Sequence, residues 1–157
     1  MTDDDDPAIH LALGRLHAAY ADIVTRRAWP ELHALFVPDA AIVVDTVTAE
    51  PIVLRGAGEL GSFIGRSIER FEFFEFVVLN LVLRVTGPTE ALGRLYMVEI
   101  RQEAGTGEWS NAFGVYHDRY RIHDGRWRLA ERNYQSLARR IGAGPATVFP
   151  FPGRFVV

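Results

Sequence analysis

The sequence predicts an α+β domain: a cone-shaped, strongly curved antiparallel sheet wrapped around three helices drawn from the N-terminal half. Helical periodicity occupies residues 7–36 and resumes after Gly56, four long strand-like runs follow, and Asp124-Gly125 separates the last two of them. Helices first and a long meander afterwards is the order of an α+β fold, and Asp-Gly between alternating runs is a strong hairpin signal. A β-sandwich with helical additions is the competing layout.

At 157 residues the chain suits one domain, read here as residues 1–140 followed by a Gly/Pro/Phe-rich tail over 141–157. A hydrophobic fraction of 48% and a charged fraction of 24% are ordinary for a globular protein. The net charge of -3 argues against general nucleic-acid binding, and the absence of cysteine removes disulfides, thiolate metal sites and cysteine nucleophiles. The N-terminus MTDDDDPAIH is acidic where a secretory signal needs positive charge, and no apolar run approaches the ~20 residues of a membrane span. The expectation is a cytoplasmic protein with no membrane partner.

Asp3 to Asp6 read as a solvated leader, with Asp6 capping and Pro7 opening a helix to about Arg27. Ile9, Leu13, Leu16, Tyr20 and Ile23 form its buried face, with His17 beside them as a satisfied core-edge residue. A short helix is expected over Pro30–Phe36, then Val/Ile-rich strands at Ala40–Thr48 and Ile52–Arg55. Leu60, Phe63, Ile64 and Ile68 make one face of a third helix, whose Gly58, Gly61 and Gly65 suit close packing on the sheet. Glu75–Val85 and Ala91–Arg101 pair across Thr86-Gly87-Pro88-Thr89. The first of these strands is apolar on both faces, so the Val77, Leu79, Leu81 and Val85 side is expected to be covered by a second copy in a homodimer. Phe149, Phe151 and Phe155 place the tail along the domain or across that seam.

The hairpin Trp109–Leu137 fixes the candidate site. With Asp124 and Gly125 as the loop, His123 faces Arg126, Tyr120 faces Leu129, Asp118 faces Glu131 and Tyr116 faces Asn133. The core side is apolar near the turn and polar farther along, which suits a cavity wall. Arg119, Arg121, Arg126, Arg128, Arg132, His117 and His123 fall on the other face, whose reading is a solvated exterior. Phe113, Val115 and Tyr134 at its far end are apolar enough for a subunit contact.

The runs YADIVTRRAWPELHALFVPDA and GVYHDRYRIHDGRWRLAER resemble the SnoaL-like branch of the nuclear transport factor 2-like superfamily, over most of residues 7–137. That resemblance implies the cone-shaped fold and a choice among polyketide cyclases, dehydratases, isomerases, hydrolases and non-enzymatic binding modules. Members similar to scytalone dehydratase carry an aspartate where this chain has Thr25 and a histidine where it has Phe76. Neither residue transfers protons, so any chemistry must use other groups.

Asp118 and Glu131, with Cβ atoms ~5 Å apart in the expected register, would form an acid and base pair if desolvated. Alternatively, an arginine such as Arg94 or Arg84 pairs with one of them in a structural role. Tyr20, Phe76, Asn80, Tyr116 and Asn133 are the expected ligand contacts, although buried tyrosines also serve as plain core. The five histidines offer no metal-ligand spacing, and no nucleotide-binding or serine-nucleophile motif occurs, so neither metal nor cofactor is expected. Three functions remain: a cofactor-independent lyase, isomerase or cyclase for an apolar substrate, a binding protein for a similar ligand, or an assembly module. An enclosed pocket with convergent polar groups would favour the first.

Overall fold

The computed structural model describes residues 6–151, so Asp3–Asp5 and Phe155 of the expected leader and tail lie outside it. Helix α1 (Pro7–Arg26) starts at Asp6, whose carboxylate accepts from the Ala8 amide at 2.8 Å, and stops at Arg27 in the left-handed region. Leu13, Leu16, His17, Tyr20, Ile23 and Val24 are its buried stripe. The expected second helix is a 3₁₀ segment, Trp29–Ala34. It is shorter than its apolar spacing implies, because strand β1 (Phe36–Asp45) already begins at Phe36.

β1 pairs antiparallel with β2 (Ile52–Arg55), after which α2 (Gly56–Ile68) crosses back. Gly56 has φ +71°, and a Cβ there would sit 2.8 Å from the Pro38 carbonyl oxygen. A glycine is therefore required at this strand-to-helix corner. The glycine stripe packs on the 3₁₀ segment rather than on the sheet: Cβ atoms at Gly61 and Gly65 would stand 3.1 and 3.2 Å from Trp29.

β3 (Phe71–Gly87), β4 (Glu90–Glu103), β5 (Trp109–His123) and β6 (Arg126–Ile141) form the long meander. The sheet order is β2-β1-β6-β5-β4-β3, and β1 runs parallel to β6, so the sheet is mixed rather than wholly antiparallel. The helices cover its concave side, where Leu13, Tyr20, Phe36, Leu95, Met97 and Leu129 belong to one buried cluster. Strand β7 (Thr147–Val148) continues the edge by pairing with Ala138 and Arg139 of β6. None of the helices among the described residues is long and apolar enough to cross a membrane.

Bulges change which residues face inward. Asp124 and Gly125 both have positive φ and form the expected two-residue turn, with His123 opposite Arg126 and Tyr120 opposite Leu129. The next pair is Arg119 with Glu131, leaving Ala130 unpaired, so the β6 side chains from Glu131 to Ser136 change face, until a second shift leaves Leu137 unpaired and restores the alternation at Ala138 opposite Phe113. The cause lies on the other edge of β6. Leu129 donates its amide to Leu35, pairing with β1 resumes only at Ala41 with Glu131, and the intervening stretch holds Pro38, which has no amide to give. In β3 the register shifts between Val78 and Asn80, so Val77, Leu79, Leu81 and Val85 do not share one exposed face. Leu79 is exposed, Leu81 packs against the core, and Val85 is buried.

Candidate functional site

The Ala130 bulge turns Arg132 inward and Glu131 outward. Arg132 is 1% exposed and meets Asp118, its register partner on β5, through Nε to Oδ1 at 2.8 Å and Nη2 to Oδ2 at 2.7 Å. This is the bidentate geometry that a planar guanidinium is built for. The guanidinium also lies over the Tyr20 ring at 4.4 Å and the Tyr116 ring at 4.1 Å, within cation–π range. Burial opposes the charge on Arg132, but the Asp118 carboxylate outweighs it and raises the pKa above the ordinary arginine value.

His17 and Tyr120 complete the network. Nη2 of Arg132 is 3.3 Å from Nδ1 of His17, and because arginine only donates, that nitrogen must accept. The ring proton is then on Nε2, which donates to the Tyr120 hydroxyl at 2.6 Å, and Tyr120 donates to Asp118 at 3.3 Å. Burial first, and Arg132 second, lower the His17 pKa to about 4, so the imidazole is neutral at neutral pH. Gly93 makes room for this arrangement, since a Cβ there would overlap the Tyr120 hydroxyl.

The network closes one end of a cavity of about 190 Å³ between α1, α2 and the sheet. Ile42, Leu60, Phe63 and Phe76 supply apolar wall, with Tyr20, Tyr116 and Tyr134 bringing rings and hydroxyls. Burial pushes the Tyr116 hydroxyl well above its ordinary pKa, so it is a neutral donor. Nη1 of Arg132 is buried, has no hydrogen-bond partner among the described residues, and belongs to a side chain that lines this space. At the solvent-side end stand Glu99, Arg101 and Arg139. Glu99 and Arg101 approach to 3.4 Å, and burial pushes the Glu99 carboxyl up against the opposing pull of Arg101 and Arg139.

Tyr20, Phe76 and Tyr116 line the cavity, whereas the other four expected contacts or catalytic groups do not. Glu131 is exposed beside Arg119 at 3.5 Å, so it cannot share a proton with Asp118. Asn133 is exposed on the same outer face, and Asn80 is exposed beyond the β3 bulge. Asp118 is buried but spent on Arg132 and Tyr120; its arginine partner comes from the facing strand, not from the positions of Arg94 or Arg84. Tyr134, expected outside, is inside opposite Tyr116. Thr25 and Phe76 do meet in space, but as a structural contact in which the Phe76 amide donates to the Thr25 hydroxyl at 3.0 Å.

Glu99 and Arg101 were within reach of sequence reasoning, because they continue the inward alternation of Leu95 and Met97 along β4. Arg139 also falls on the inward side by plain alternation from Leu129, because the shifts at Ala130 and Leu137 cancel, whereas Arg132 lies past a single bulge that no β6 residue announces.

The model of the SnoaL-like domain family matches residues 8–133. The chain belongs to the SnoaL-like domain family. No curated protein matches the sequence. Among solved structures, it is similar to a candidate scytalone dehydratase from Novosphingobium aromaticivorans, with 18% identity and a TM-score of 0.77 over 95% of this chain and 96% of that one. It is also similar to a hexachlorocyclohexane dehydrochlorinase from Novosphingobium barchaimii, with 19% identity and a TM-score of 0.76 over 91% and 96%. A Mycobacterium tuberculosis protein of unknown function shares 23% identity with a TM-score of 0.71 over 83% and 77%. At these identities the likenesses establish the fold of this SnoaL-like domain and leave its chemistry to its own residues.

Proposed function

We propose that this SnoaL-like protein is a cofactor-independent lyase or isomerase that moves a proton on a small, largely apolar molecule. The observation that carries the reading is that Nη1 of Arg132, a side chain lining a partly open cavity, is buried with no partner among the described residues. A buried donor left unmet costs about 1–3 kcal/mol, which a substrate oxygen or other acceptor would recover. An acceptor that gains negative charge as a proton leaves would be held more tightly in the transition state than in the ground state. Asp118, His17, Tyr20 and Tyr116 fix the guanidinium beforehand, so no reorganisation is needed when that charge develops.

Glu99 is the group that takes the proton. Its raised pKa brings it nearer the value at which a carboxylate is an effective general base at neutral pH. On β4 and β5 the Glu99–Ala112 row is six residues from the Gly93–Asp118 row next to Arg132, on the order of 20 Å before either long side chain leans inward. Base and charge stabiliser therefore address different ends of the substrate, so the electron pair left by the proton must pass through a conjugated body to the acceptor held by Arg132. By their names, two of the structural neighbours remove water or hydrogen chloride, reactions that also begin with loss of a proton.

A non-catalytic binding protein is the second reading, and the Thr25–Phe76 contact favours it. Solvent deuterium incorporation separates the two. Small single-ring ketones and lactones that raise the melting temperature are incubated with the protein in deuterium oxide and followed by NMR. The catalytic reading expects C–H exchange that the Glu99→Gln variant loses; exchange no faster than with that variant, for ligands that do bind, would leave only binding. The reading includes a homodimer through the outer sheet face, supported by the exposed Phe73, Leu79, Val82 and Trp109.

A further inference from the structure

Resting on the reading of the cavity as a small-molecule site, we infer that its ligand is a small carboxylic acid bound as a monoanion, with the carboxylate on Arg139 and the apolar body directed inward. Charge is the first support. Arg132 is matched by Asp118 and Arg101 by Glu99, whereas Arg139 lines the same cavity with no carboxylate among the described residues at ion-pair distance. His17 adds no positive charge, because it is neutral at neutral pH. A single carboxylate beside Arg139 completes a set in which every cavity arginine has one acid.

Hydrogen bonding is the second support. Nε of Arg101, Nε of Arg139 and Nη1 of Arg132 are all buried and lack partners among the described residues. Three buried donors around one cavity ask for acceptor oxygens, and two of the three stand at the end where the uncompensated charge is. Charge-assisted contacts there would be roughly twice as strong as neutral ones. At the closed end Arg132 is already neutralised by Asp118, so its Nη1 suits an uncharged acceptor such as a carbonyl or hydroxyl.

Size and lining set the rest. A space of about 190 Å³ holds on the order of a dozen waters, which limits the ligand to about one ring and a short substituent. Ile42, Leu60, Phe63 and Phe76 offer nothing polar to its body. Glu99 remains free to act on a C–H near the anchored carboxylate, because Arg101 compensates its own charge.

The test compares phenylacetate and 3-phenylpropanoate with their primary amides, which match them in shape and lack the charge. Titration calorimetry on the full chain should show each acid binding at least about tenfold more tightly than its amide. Added salt should weaken the acids alone. Arg139→Gln should abolish the preference by weakening the acids far more than the amides, and Arg139→Lys should retain most of it. Equal or tighter binding of the amides, a preference that survives Arg139→Gln, or no binding of any of the four would overturn the inference. Amides and acids that bind equally and compete would leave the pocket reading standing and sink only the anion. Acids that bind through Arg139 without Glu99-dependent deuterium exchange would uphold the anion and sink the chemistry.

Discussion

Arg132 and Asp118 face each other across the β5–β6 pair with two hydrogen bonds of 2.7 and 2.8 Å, both side chains shut away from solvent. Desolvating two charges is costly, and only near-ideal geometry with further partners makes such a pair tolerable. His17, Tyr20, Tyr116 and Tyr120 provide those partners. Asp118→Asn would leave the guanidinium charged and uncompensated inside the domain. We expect it to destabilise the fold by about 3–5 kcal/mol, read from urea unfolding, with a loss below about 1 kcal/mol contradicting a structural role for the pair.

The turn, the first helix and the hairpins of the long meander could be read from sequence because each rests on local chemistry: Asp6 capping a helix, Asp124-Gly125 at positive φ, Leu13 and Tyr20 on one stripe. The placement of Glu131, Asn133 and Arg132 depended instead on one unpaired residue, Ala130, whose cause is Pro38 on a different strand. Alternation carries a register outward from a turn only until something non-local interrupts it. Glu131→Gln checks the corrected placement: an exposed carboxylate beside Arg119 should be replaceable within about 0.5 kcal/mol. A large loss of stability would put the residue back inside.

His17 makes stability depend on pH. Its pKa is about 4 in the folded protein against 6.5 as a free group, so the stabilisation is complete above pH 6.5. Below that, the unfolded chain takes up a proton that the folded chain refuses, and stability falls until about pH 4. At about 1.4 kcal/mol per unit the loss is roughly 3 kcal/mol. His17→Gln can keep a donor and an acceptor but cannot titrate, so its melting temperature should change much less between pH 6.5 and 4. An unchanged slope in that variant would assign the dependence elsewhere.

The outer face carries a Phe73–Trp109 stack at 5.7 Å, with Leu79 54% and Val82 38% exposed. Apolar groups gathered on long strands attract a second sheet. Light scattering at micromolar concentration should report a dimer, and Leu79→Asp should shift it toward monomer without changing ligand binding in the cavity. A wild-type monomer under those conditions would remove the homodimer from the reading.

Glu99 gives the opposite pH signature from His17, and it tests the proposed base directly. Burial raises its folded-state pKa above 4.5, so the folded protein keeps a proton that the unfolded chain has released. The resulting cost is absent at low pH, grows as pH rises through 4.5, and is complete above the folded-state value. Glu99→Gln cannot ionise, so it should match or exceed the wild type in stability at pH 7 and lose any advantage near pH 4. Proton transfer by a positioned side chain contributes roughly a hundred- to ten-thousand-fold, and deuterium exchange should fall by that factor in the same variant. A catalytic carboxylate held at some cost to stability predicts the two effects together: a fold no weaker, and an activity nearly gone. If Glu99 were instead only a strut between Arg101 and Arg139, the substitution would weaken the fold at pH 7 and leave exchange untouched.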